Sequence, residues 1–171
     1  MLCQRFRRVV VFVLLGASLA AARDLAVVSN KSNALGAITV PELVKVCKAQ
    51  TNRWPDGKPV VVVMRSPSAP EMKVVLEKVY GMSEKELNSL IVASNHERGN
   101  HPAILVATSD EDLVNKVAST PGAVGVVDVY SINSSVAVVK IGGKLPVNLL
   151  ISLAQCGLYK ILSHGYKVLK G

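Results

Sequence analysis

The sequence predicts an α/β fold, a single domain with a mostly parallel sheet flanked by helices. Three observations predict it. Val60, Val61, Val62, Val63 and Met64 form an unbroken apolar run, as expected of a strand covered on both faces. Met72, Val75, Leu76, Val79 and Tyr80 then recur at helical spacing and mark one face of an amphipathic helix. Strand-like and helix-like segments alternate along the whole chain without an internal repeat, which is the pattern of βαβ units.

A chain of 171 residues is long enough for one domain with a proper core. Hydrophobic residues make up 50% and aromatic ones only 4%, so the core is built from Val, Leu, Ile and Ala. Residues 1–22 have the form of a secretory signal peptide. Arg5, Arg7 and Arg8 make its charged start, Val9 to Leu15 its apolar run, and Ala20, Ala21 and Ala22 supply small residues for cleavage before Arg23. The run is short for a membrane span, and an uncleaved N-terminal anchor is the alternative. Without those three arginines, 17 Lys+Arg stand against 12 Asp+Glu and the formal charge falls from +8 to +5. The remaining charges are spread out and not interleaved with aromatics, so no nucleic-acid patch is visible.

In the mature chain, Leu25 to Ser29 reads as a first strand, followed by a polar loop from Asn30 to Asn33. Thr39 and Glu42 make a capping box with Pro41 in the first turn, opening a helix that buries Leu43, Val46 and Cys47. Pro55-Asp56-Gly57 is a turn signal in a loop carrying Trp54, whose simplest role is to cover the core edge; stacking on a ligand is the alternative. Gly81 stops the helix after the central strand. Ser83 and Glu86 open another, with Leu87, Leu90 and Ile91 inward. Ser94 to Pro102 reads as an irregular polar loop holding His96 and His101, a weak metal signal with no further ligand close by. Ala103 to Ala107 is a strand. Ser109 caps a helix with Asp110, Glu111 and Asp112 in its first turn and Leu113, Val114, Val117 and Ala118 buried. Ala123 to Val127 and Val136 to Ile141 are the last strands. Residues 145–171 form an apolar tail, read as a core or interface helix and, second, as a membrane-associated segment. Cys47 and Cys156 could pair in an oxidising compartment, although the place of Cys47 on an apolar helix face favours a buried thiol.

The stretch after the central strand carries the chemistry. Ser68 and Glu71 have capping-box spacing, which predicts a helix beginning at Ala69. That geometry aims the Arg65 guanidinium, the Ser66 and Ser68 hydroxyls and free backbone N–H groups at one small volume, as an oxyanion requires. The residues alone favour the plainer reading, a capped strand-to-helix turn with a surface arginine, because such turns are common in any α/β domain. No convincing nucleophile–base pair, metal-ligand cluster or glycine-rich nucleotide loop is visible, so neither an enzyme nor a cofactor is expected.

Three stretches together resemble the phosphate-binding-protein-like periplasmic receptors. They are the segments 38–65, with its W-P-D-G loop and terminal Arg65, 66–87, with its serine loop opening a helix, and 106–127, with its P-G-A-V-G turn. The family's Arg-x-x-Gly-Ser-Gly-Thr loop stands here as Arg65-Ser66-Pro67-Ser68-Ala69-Pro70, and Glu71 brings a carboxylate close to the anion position. The resemblance implies that residues 23–144 form a domain like one lobe of a type 2 periplasmic binding protein. It implies an exported, non-enzymatic protein that binds phosphate or a related oxyanion for ABC-type uptake or sensing. The implied ligands are Arg65, Ser66, Ser68 and the Ala69 N–H. Ser29, Asn30 and Ser32 are expected to face the same cleft, because open α/β sheets bind at strand carboxyl ends. The implied partners are the anion and an ABC transporter or other envelope protein, with membrane contact only through the tail. The alternative is a protein-interaction module that kept the fold and lost the ligand.

Overall fold

The computed structural model describes residues 25–143, so the leader, the apolar tail and Cys156 lie outside the described residues. The elements in order are β1 (Leu25–Asn30), β2 (Ala37–Ile38), α1 (Val40–Cys47), β3 (Val61–Arg65), α2 (Met72–Val75), α3 (Glu84–Arg98), β4 (Ile104–Ala107), α4 (Asp110–Ser119), β5 (Ala123–Asp128) and β6 (Val136–Ile141). Between α2 and α3, Leu76–Tyr80 continues as a π-helical turn that ends at Gly81, whose φ of 58° is left-handed. Two capping boxes form as the spacing predicts, Thr39 with Glu42 and Ser83 with Glu86. Ser109 caps α4 by accepting from the Asp112 N–H at 3.0 Å. Among the described residues no helix is long and apolar enough to cross a membrane.

The sheet order is β2-β6-β1-β5-β3-β4. β3 runs parallel to β4 and β5, and β2 parallel to β6. β1 runs antiparallel to both β5 and β6, so it alone points against the other strands. Within β3 the side chains alternate. Val62 and Met64 join the larger core cluster with residues of α1, α2 and α3, whereas Val61 and Val63 face Leu113, Val114 and Val117 of α4. The central strand is therefore covered on both faces, as its apolar run predicts.

Two expectations are corrected here. The helix expected from Ala69 begins only at Met72, with no side-chain cap. Pro70 has no N–H, and Glu71 gives its carboxylate to Arg65 instead of to a cap. The stretch 94–102, expected to be an irregular loop, is helical as far as Arg98. Two of its polar residues, Asn95 and Arg98, bind backbone. Asn95 donates to the Ile104 carbonyl and accepts from the Ile104 N–H, both at 2.9 Å, and so closes the outer edge of β4 as another strand would. Arg98 donates to the carbonyls of Val60 and Thr51. Asn95→Ala should leave both Ile104 groups without their partner and lower stability by about 1–3 kcal/mol, read by urea denaturation. An unchanged midpoint would mean that water replaces the amide at no cost.

Two motifs that looked separate in sequence meet in space. Trp54 is buried, and its indole Nε1 donates to the Gly122 carbonyl at 2.8 Å. The Gly122 N–H donates to Asn33 Oδ1 at 2.8 Å, and the Val61 N–H reaches the same Gly122 carbonyl at 3.2 Å. Gly125 lies under α4, where a Cβ would come within 2.8 Å of the Val63 carbonyl oxygen and 2.9 Å of Leu113 Cδ2. The W-P-D-G and P-G-A-V-G elements are thus a joint between a loop, β3 and β5. Cys47 is buried against Tyr80; burial pushes its thiol up to about 12, while the hydrogen bond with Tyr80 pulls the other way.

Candidate functional site

Arg65 closes β3, opposite Ala107 at the end of the parallel neighbour β4. Parallel strands deliver the residues that follow them to the same end of the sheet, here the loop 66–71 after β3 and the first turn of α4 after β4. The Arg65 side chain, only 17% exposed, lies between them. Its Nη2 is 2.6 Å from Glu71 Oε1 and its Nη1 is 2.6 Å from Asp110 Oδ1. Its Nε is buried and has no hydrogen-bond partner among the described residues. One cation and two carboxylates leave this cluster with a formal charge of −1.

The loop donors are also engaged. Ser66 Oγ and Ser68 Oγ share a hydrogen bond of 2.9 Å. The Ala69 N–H donates to the Ser66 carbonyl at 2.9 Å, closing a turn, and the Met72 N–H donates to the Ala69 carbonyl at 2.9 Å. Ser66, Ser68 and Ala69 thus bond to one another within the loop that follows Arg65.

Ser29, Asn30 and Ser32 are not part of this group. Ser29 pairs with Val124, next to the start of β5, because β1 runs against its neighbours. The carboxyl end of β1 thus lies at the amino ends of β3 and β5, at the far edge of the sheet from Arg65. The expected shared cleft does not form. The polar side chains there tie the fold together. Asn30 Nδ2 donates to the carbonyls of Val117 and Ala118 at the end of α4, and its Oδ1 accepts from the Ser32 N–H and hydroxyl. Asn33 binds both Gly122 and Ala123.

Asp110 is the site residue that sequence reasoning missed. In sequence it stands only as a match for the dipole of the helix it opens. Treating β3 and β4 as parallel neighbours would have placed Arg65 and Asp110 at one end of the sheet. His96 lies on α3 and His101 in the turn after it, and among the described residues no group of three or more His, Cys, Asp or Glu is placed to hold a metal ion.

Solved structures with this architecture include several phosphate-binding proteins. An ABC-type phosphate transport receptor from Vibrio cholerae superposes with a TM-score of 0.58 at 21% identity, over 73% of this chain and 48% of its own. This chain has a phosphate-binding-protein-like fold. PstS from Borrelia burgdorferi aligns with a TM-score of 0.56 at 15% identity, over 73% of this chain and 49% of that one. A phosphate binding protein from Stenotrophomonas maltophilia aligns at 0.54 and 17% identity, over 72% and 40%. The chain spans less than half the length of these three phosphate-binding-protein structures. No family model and no curated protein matches it.

Proposed function

We propose that this chain is a solute-binding domain of an exported uptake or sensing system, that it performs no catalysis, and that Arg65 is its contact with phosphate or a related oxyanion. One observation carries the reading: a guanidinium stands at the carboxyl end of the central parallel strand, and the loop that directly follows it carries Ser66 and Ser68, whose hydroxyls share a hydrogen bond. The likeness of the fold to that of solved phosphate-binding proteins supports the choice of anion, and the signal-peptide-like leader supports export. Binding is weak on this reading, because an oxyanion has to compete with carboxylates already on the guanidinium.

Calorimetric titration with phosphate and sulfate tests it. Losing a charged donor costs about 1.5–3 kcal/mol, so Arg65→Ala should weaken binding by roughly ten- to a hundredfold. Arg65→Lys keeps the charge but loses the planar fork, and should recover only part of that loss. Equal phosphate affinity in parent and Arg65→Ala, with the fold intact by circular dichroism, would remove Arg65 from the site.

A second reading, an interaction module that kept the fold without the ligand, has one observation in its favour: both terminal nitrogens of Arg65 are already paired. It gains if phosphate and sulfate fail to bind even when a carboxylate partner is neutralised.

A further inference from the structure

The two carboxylates on Arg65 are not equivalent. Asp110 is the first residue of α4, a ten-residue helix fixed by the Ser109 cap and by the buried Leu113, Val114 and Val117. A carboxylate in that first turn is also favoured by the helix dipole. Glu71 belongs to the loop 66–71, and the helical segment it precedes, Met72–Tyr80, has no side-chain cap at its start.

The way each grips the guanidinium differs too. Nε and Nη2 point to the same side of an arginine and together form a fork that fits two oxygens of one ligand. Glu71 Oε1 holds only Nη2 of that fork, and Nε beside it is buried without a partner among the described residues. A buried donor left unmade is costly, so this side of Arg65 is half satisfied. Asp110 holds Nη1, outside the fork.

We propose that Glu71 is a tethered, displaceable carboxylate that occupies half of the oxyanion fork of Arg65, whereas Asp110 is the anchor that keeps the guanidinium in place when Glu71 leaves. The proposal rests on the reading of Arg65 as an anion contact and adds its regulation. A tetrahedral oxyanion with two free oxygens takes both Nε and Nη2, so it replaces one ion-pair contact by two charge-assisted hydrogen bonds. Because Nε is buried, the anion reaches it only when the Glu71 side chain and its loop swing away. The apparent affinity is then the intrinsic one scaled down by the fraction of molecules in which Glu71 has left the guanidinium, as for any site whose competent state is a minor one.

The test is calorimetric titration of inorganic phosphate into the parent protein and the variants Glu71→Gln, Asp110→Asn and Glu111→Gln. Glu71→Gln keeps the size of the side chain and removes the competing charge, so phosphate should bind about tenfold or more tightly. Asp110→Asn should bind more weakly than the parent, because Arg65 loses its anchor. Glu111→Gln removes a nearby charge from the exposed side of α4 and should change affinity less than about twofold. In the double variant Glu71→Gln with Arg65→Ala the gain should vanish. Phosphate binding of equal strength in parent and Glu71→Gln would overturn the gate and leave the oxyanion reading standing. An equal gain in all three single variants would overturn it as well, since mere loss of negative charge would explain the result. Absence of phosphate binding in both parent and Glu71→Gln at tens of millimolar would overturn the gate and the oxyanion reading together.

Discussion

Gly122→Ala should cost this fold about 2–5 kcal/mol. Two effects add. Gly122 has a φ of +84°, a region that disfavours any side chain by roughly 1–2 kcal/mol. An alanine Cβ would also stand 1.9 Å from the Pro59 carbonyl oxygen and 3.1 Å from its carbon. Those atoms are backbone, so no rotamer change relieves the overlap, and overpacking of this kind typically costs about 1–3 kcal/mol. The displacement would propagate, because Gly122 binds Trp54, Val61 and Asn33 at once. A single domain has only about 5–15 kcal/mol in total, so the variant should be visibly less stable in urea. Trp54 is the single tryptophan and sits at this joint, so its fluorescence reports the transition directly. A change below about 0.5 kcal/mol would show that the turn accommodates a methyl group, and that the glycine is not needed there.

Trp54→Ala should be as damaging, about 3–5 kcal/mol, followed by far-ultraviolet circular dichroism because the variant has no tryptophan. Only 8% of Trp54 is exposed, so truncation leaves a large cavity at the edge of the main core cluster. The hydrogen bond contributes less than the ring. The Gly122 carbonyl also accepts from the Val61 N–H, so losing the indole donor does not leave it unpaired. Trp54→Phe should therefore cost more than the lost bond, about 1 kcal/mol, but clearly less than the alanine change. Equal losses for Phe and Ala would assign the effect to the hydrogen bond instead. Binding should follow stability in both variants, since Trp54 and Gly122 lie at the amino end of β3 and Arg65 at its carboxyl end.

Much of the architecture was legible because its causes are local. The apolar run at 60–64, the helical spacing of Leu113, Val114 and Val117, and the capping boxes at Thr39 and Ser83 each depend on residues a few positions apart. The third box shows the limit. Ser68 and Glu71 have the same spacing, but a guanidinium that reaches Glu71 at 2.6 Å competes successfully with the cap. The stretch 94–102 departs from its loop-like sequence for a related reason. Asn95 satisfies the backbone of Ile104 on the next strand and Arg98 that of Val60, 38 residues back, and nothing in the local pattern announces either.

By itself the sequence determined the order of strands and helices after β2, the coverage of the central strand and the likeness of its motifs to the phosphate-binding proteins. Those follow from side-chain periodicity and from spacings of three or four residues, which the chain carries whatever its tertiary arrangement. Only the tertiary structure decided that β1 runs against its neighbours, which carries Ser29, Asn30 and Ser32 to the far end of the sheet. Only it decided that Asp110 meets Arg65 across 45 residues of chain. Strand direction and long-range charge pairing arise from how separate elements stack, and a period of two or 3.6 residues contains no information about either.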